Sequence, residues 1–152
     1  QRVHGTAVFL TADPETAPTA LMHNLKHNHV LHNTNILLTI KTAQVPYVPE
    51  SEQITVETLS DDFRRIVANL GYMQSPRIPY LLAQARRQGC EFELMQTSFF
   101  LGRRTIKASA QSGMPLWQDG LYSALARSAA NATDFFHIPY NRVVEMGSQV
   151  TV

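Results

Sequence analysis

His23 and His27 stand four residues apart, the spacing that sets two imidazoles on one face of a helix as metal ligands. Four of the six histidines fall between His23 and His32, so nitrogen donors are concentrated there. Asn24, however, stands where a zinc-protease motif carries its glutamate, and no cysteine or carboxylate lies near in sequence as a third ligand. The expected use of His23, Asn24, Lys26, His27 and Asn28 is therefore a polar helix face whose imidazole and amide groups bond to neighbouring loops or to a partner. No metal and no other cofactor is expected.

Cys90 directly follows Gly89, which sits where a helix C-terminal cap belongs. A catalytic thiol needs a cation or a helix N-terminus to lower its pKa, and the C-terminal end of a helix does the opposite. A small buried side chain is expected. Thr133, Asp134, Asn141 and Arg142 form a second polar group near the end of the sequence. They suit a binding corner, or equally a turn in which Asp134 pairs with Arg142 and ties the tail down; the structural use is preferred. There is no G-x-x-x-x-G-K-[ST], no G-x-G-x-x-G and no G-x-S-x-G. Nothing in the sequence assembles a catalytic constellation.

The elements that must position these groups follow from pattern. Thr6–Thr11 is a short apolar run ended by Asp13-Pro14, which predicts a buried strand. A helix is expected from Pro18, since proline fits a first turn and not an interior. Leu21, Met22 and Leu25 are taken as its inward stripe, with His23, Asn24, Lys26 and His27 opposite. Ile36–Ile40 is apolar at nearly every position, as a central strand covered on both faces would be, so strand, helix and strand predict a right-handed parallel crossover. Val45–Pro49 holds two prolines and predicts an extended loop. Gln53–Thr58 alternates as an antiparallel strand. Asp62–Tyr72 fits both helix and strand periods, and the Ser60-Asp61-Asp62 turn favours a hairpin partner. A second helix opens at Pro79 with Leu81, Leu82 and Ala85 inward. Gln96–Leu101 predicts a strand, Pro115–Ala130 a third helix, and Arg142–Met146 and Gln149–Val152 strand-like ends. The alternation predicts one α/β domain over residues 1–152: a mixed sheet with a parallel β-α-β core, an antiparallel hairpin and about three helices.

Composition narrows the function classes. The 152 residues suffice for one proper core, and 44% apolar with 16% charged residues is ordinary for a globular protein. Thirteen basic residues against twelve acidic ones leave a net charge of +1, no field for gathering nucleic acid or an anionic membrane surface. The single cysteine excludes an internal disulfide and suits a reducing compartment. No apolar run approaches the roughly 18 to 20 residues of a membrane helix, and no signal peptide is visible. Residue 1 is Gln and not Met, so the chain is expected to be a fragment or a processed form.

Several segments are similar to a known family. Gly5–Thr11 followed by His23-Asn24-Leu25-Lys26-His27-Asn28 resembles the opening of the soluble tail of Kup-type (KUP/HAK/KT) potassium transporters. Thr97–Leu101 and the ending Ala132–Gly147 resemble the same tail, in the same order and spacing, so the resemblance covers nearly the whole chain. Tyr140 departs from it, standing where a second proline is expected. The resemblance implies a regulatory or assembly domain on the cytoplasmic face of the bacterial inner membrane, belonging to a potassium-uptake permease that is a potassium–proton symporter. Its partner would be the membrane domain of the same transporter, which handles potassium and protons and lies outside this chain. It implies no enzyme activity. The wider superfamily includes soluble domains that bind a cyclic dinucleotide and pair as dimers, so a homodimer is a further partner it implies, and a cytosolic nucleotide-binding sensor domain is the alternative function. A small hydrolase is the least supported reading.

Overall fold

In the computed structural model, residues 1–102 and 136–147 are described; the third predicted helix, the Gln149–Val152 strand, Thr133 and Asp134 lie outside them. Arg2–Thr11 forms β1 and Leu31–Ala43 forms β2, and the two pair in parallel from Arg2 opposite Leu31 to Thr11 opposite Thr39. Both are buried through their middles because each has a neighbour on both sides and packing on both faces. A short helix α1, Thr19–His23, and a wider π-helical turn, Asn24–Asn28, connect them. Pro18 takes the cap position with extended backbone, as its fixed φ and missing N–H favour.

A single helical turn α2, Glu50–Gln53, leads into β3, Ile54–Thr58, and β4, Phe63–Gly71, follows. β3 and β4 form the expected antiparallel hairpin, closed through Ser60–Asp62, with the Leu59 N–H donating to the Phe63 carbonyl at 3.0 Å. β4 also pairs in parallel with β2, Ile66 opposite Leu38, and this resolves its ambiguous pattern in favour of a strand. Helix α3, Ile78–Arg87, buries Leu81, Leu82 and Ala85 as expected. Gly89 ends that turn at φ +94°, a left-handed conformation that a side chain would resist. A 3-10 turn, Leu94–Gln96, precedes β5, Thr97–Gly102, and another, Tyr140–Arg142, precedes β6, Val143–Met146.

The sheet order is β3-β4-β2-β1-β5-β6, with every neighbour parallel except the β3–β4 pair. The chain therefore steps outward from β1 through β2 to β4, then returns to the other side of β1 at β5. This is the order of a doubly wound sheet. Alternate residues feed two cores. Val8, Leu10, Ile36, Leu38, Ile66 and Phe99 meet α3 on one face, while Ala7, Phe9, Leu37 and Phe100 meet Ala20 and Leu21 of α1 on the other. Phe9 and Phe100 stack with ring centroids 4.7 Å apart.

The facing of α1 needs two corrections. Met22, expected inward, is 54% exposed, and Asn24, expected on the polar face, is only 3% exposed. At about 100° per residue the partners of Leu21 are residues three and four further on, Asn24 and Leu25. Met22 falls to the side, and Leu25 is partly buried against the smaller core.

Candidate functional site at the amino-terminal edge of the sheet

Because β1, β2, β4, β5 and β6 are parallel, all five begin at one edge, where α1 and its π-helical turn and α3 also end. The predicted helix face and the described half of the predicted tail corner thus reach the same edge. Lys26, His27 and Asn28 lie in the turn that leads to β2, and Asn141 and Arg142 in the turn that leads to β6. Nothing describes a pairing of Arg142 with Asp134, since Asp134 lies outside the described residues.

The amides of the helix face are used internally. Asn24 Nδ2 donates to the Val30 carbonyl at 3.0 Å, and Asn28 Nδ2 donates to Asn24 Oδ1 at 2.7 Å. These bonds close the turn, which His29 ends in a left-handed conformation at φ 53°. The open part of the face is His23, Lys26 and His27, of which the last two are exposed. The His23 and His27 rings stack 5.7 Å apart, and among the described residues no group of three or more His, Cys, Asp or Glu stands together to hold a metal. Cys90 is buried, and burial pushes its thiol pKa up despite the Arg64 charge, which acts the other way.

Two hollows accompany these residues. At the amino-terminal edge a cleft of about 480 Å³ is walled by His4, Gly5, Asn33, Arg86, Glu93 and Gln96. At the opposite edge a hollow of about 320 Å³ lies beside Gln53, Gln74, Arg77 and Tyr80. Gln74 is held in place, its Oε1 accepting from the N–H groups of Val48 and Gly71 at 2.9 and 2.7 Å. Sequence reasoning missed the cleft. Its residues come from four separate stretches, and only the strand register brings them together.

Inside the sheet, Asn35 and Thr39 are fully buried polar residues of β2. Asn35 Nδ2 donates to the His32 carbonyl at 2.8 Å, while Asn35 Oδ1 and Thr39 Oγ1 find no hydrogen-bond partner among the described residues. His32 is the second residue of this strand, its ring edge-on to Phe100 at 6.0 Å, and burial lowers its pKa.

Fold and site define a doubly wound α/β domain with a polar cleft at the edge where its parallel strands begin. Residues 4–152 match the model of the K+ potassium transporter C-terminal domain, and the chain belongs to that family. It is 60% identical over 151 residues, 99% of its length, to the probable potassium transport system protein Kup of Caulobacter vibrioides. It is 59% identical over 150 residues to the probable potassium transport system protein Kup 1 of Bradyrhizobium diazoefficiens, and 55% identical over 152 residues to that of Mesorhizobium japonicum. The chain spans 23 to 24% of the length of these relatives. No solved structure matches it. Among the described residues no helix is long and apolar enough to cross a membrane.

Proposed function

We propose that residues 1–152 form the cytoplasmic regulatory or assembly domain of a bacterial potassium-uptake permease, a potassium–proton symporter, and carry no catalytic activity of their own. The observation that carries this reading is the 60% identity to a potassium transport system protein across 99% of the chain, in a match that takes up only 23% of that relative. The ion pathway belongs to the remaining part, in the membrane. A domain outside that pathway acts on transport by binding one conformation or assembly state of the membrane part better than another. A differential affinity of about 1.4 kcal/mol shifts such an equilibrium about tenfold, within reach of a few polar contacts.

Lys26 and His27 are the contacts proposed on the helix face, with His23 beside them. Asn24 and Asn28 hold the turn that presents them. Asn141 and Arg142 are proposed as a second contact on the same edge. In the full-length permease, Lys26→Ala together with His27→Ala should change the rate of potassium uptake or its response to cellular potassium, with normal expression and folding. Unchanged uptake and unchanged response would make the face a merely solvated one.

A further inference from the structure

We infer that the cleft at the amino-terminal edge seats a lysine- or arginine-bearing stretch of the same polypeptide that precedes this domain in the transporter. The inference rests on the proposed function above, because it takes the chain to be the terminal part of a longer permease.

The path of the chain supplies the first reason. The matched family model describes a C-terminal domain, and the relatives are some four times longer than this chain, so the bulk of such a protein comes before β1. β1 starts at the edge that holds the cleft, and its third and fourth residues, His4 and Gly5, form part of the cleft wall. Preceding polypeptide therefore arrives beside the opening.

The wall itself is built irregularly. Val3 pairs with His32 and Thr6 with Thr34, so His4 and Gly5 together stand opposite the single residue Asn33. Such a bulge interrupts the regular ladder and bends the strand where it borders the cleft. Gly5 has φ +108°, and a Cβ there would come within 2.8 Å of the Gln96 carbonyl oxygen. The bulge and the turn before β5 thus meet at a contact that only glycine permits.

Charge supplies the identity of the occupant. Glu91 and Glu93 are exposed at the cleft and form no ion pair among the described residues. Arg86, the cation of the wall, lies over the Phe92 ring at 5.9 Å from its centroid. Two carboxylates with the amides of Asn33 and Gln96 beside them suit a cationic side chain flanked by peptide groups. Segments joining membrane helices on the cytoplasmic side carry an excess of Lys and Arg. Small-molecule sites are mostly apolar, and this polar cleft suits a peptide better.

The test is site-specific photo-crosslinking in the full-length transporter in its native membrane. A photoreactive residue replaces Met95, 75% exposed on this edge, or separately Gln96; a third variant carries it at Met73, 60% exposed on the opposite edge. Met95 and Gln96 should each crosslink within one polypeptide to a Lys- or Arg-bearing peptide that precedes residue 1, and Met73 should not. Glu91→Lys with Glu93→Lys should cut that yield about fivefold or more, as reversing both charges turns attraction into repulsion. The inference is overturned by crosslinks to lipid or a second copy, by none from either position, by equal yield from Met73, or by a yield that ignores the charge reversal. Regulated uptake that depends on Lys26 and His27, alongside failed crosslinks, would sink the cleft alone and leave the proposed function standing.

Discussion

Asn24 Nδ2 donates a 3.0 Å hydrogen bond to the carbonyl of Val30, across the turn that joins the π-helical segment to β2. A side chain with the polarity of a surface residue thus holds the geometry of the surface beside it. Asn24→Ala removes this bond and the acceptor of Asn28, two hydrogen bonds that close the turn. A cost of about 1 to 3 kcal/mol is expected. His23→Ala should cost much less. Urea denaturation of the two variants decides the matter, and equal losses would contradict the assigned roles.

Leu38 and Leu25 separate full from partial burial. Leu38 is wholly buried in the central strand, and Leu38→Ala should cost about 2 to 5 kcal/mol. Leu25 only flanks the smaller core, so Leu25→Ala should cost clearly less. Paired denaturation curves should show that order, and the reverse order would mean that α1 is seated differently.

His32 predicts a pH dependence. Burial lowers its pKa from the ordinary 6.5, and its Nδ1 is buried with no hydrogen-bond partner among the described residues. Above pH 6.5 both folded and unfolded chains carry the neutral ring, and there is no penalty. As pH falls below that value the unfolded chain takes up the proton first, so stability drops toward the lowered folded pKa. His32→Leu should flatten the decline in denaturation midpoint between about pH 7 and pH 5. An unchanged decline would assign the acid sensitivity elsewhere.

Cys90 should be inert in the folded domain. It is buried, and burial raises its thiol pKa more than the Arg64 charge lowers it, so little thiolate forms near neutral pH. Reaction with a disulfide reagent should be slow in buffer and complete within minutes in denaturant. Rapid labelling of the native chain would show the thiol to be accessible.

The strands and helices were legible where one local signal decided them. Pro18 and Gly89 mark helix ends by what their backbones can and cannot do, and the apolar run Ile36–Ile40 marks a strand buried on both faces. Asp62–Tyr72 was ambiguous because Phe63, Ile66, Val67 and Leu70 fit a helical stripe while Ile66, Ala68 and Leu70 alternate as a strand, and pairing with β2 and β3 decides for the strand. The polar helix face was half legible. Asn24 reads as surface by type, yet its place three residues after Leu21 turns it inward. The cleft was not legible, since Gly5, Asn33, Glu93 and Gln96 meet only through a bulge and a parallel register that no short stretch encodes.

The proposed role is tested most directly by potassium uptake through the full-length transporter with and without residues 1–152, measured per transporter molecule in the membrane over a range of potassium concentrations. The domain holds no part of the ion pathway in this reading. Its removal should leave residual uptake whose rate, or whose response to potassium, differs from that of the intact protein. Uptake curves that superimpose at equal amounts of membrane-inserted protein would contradict a regulatory or assembly role.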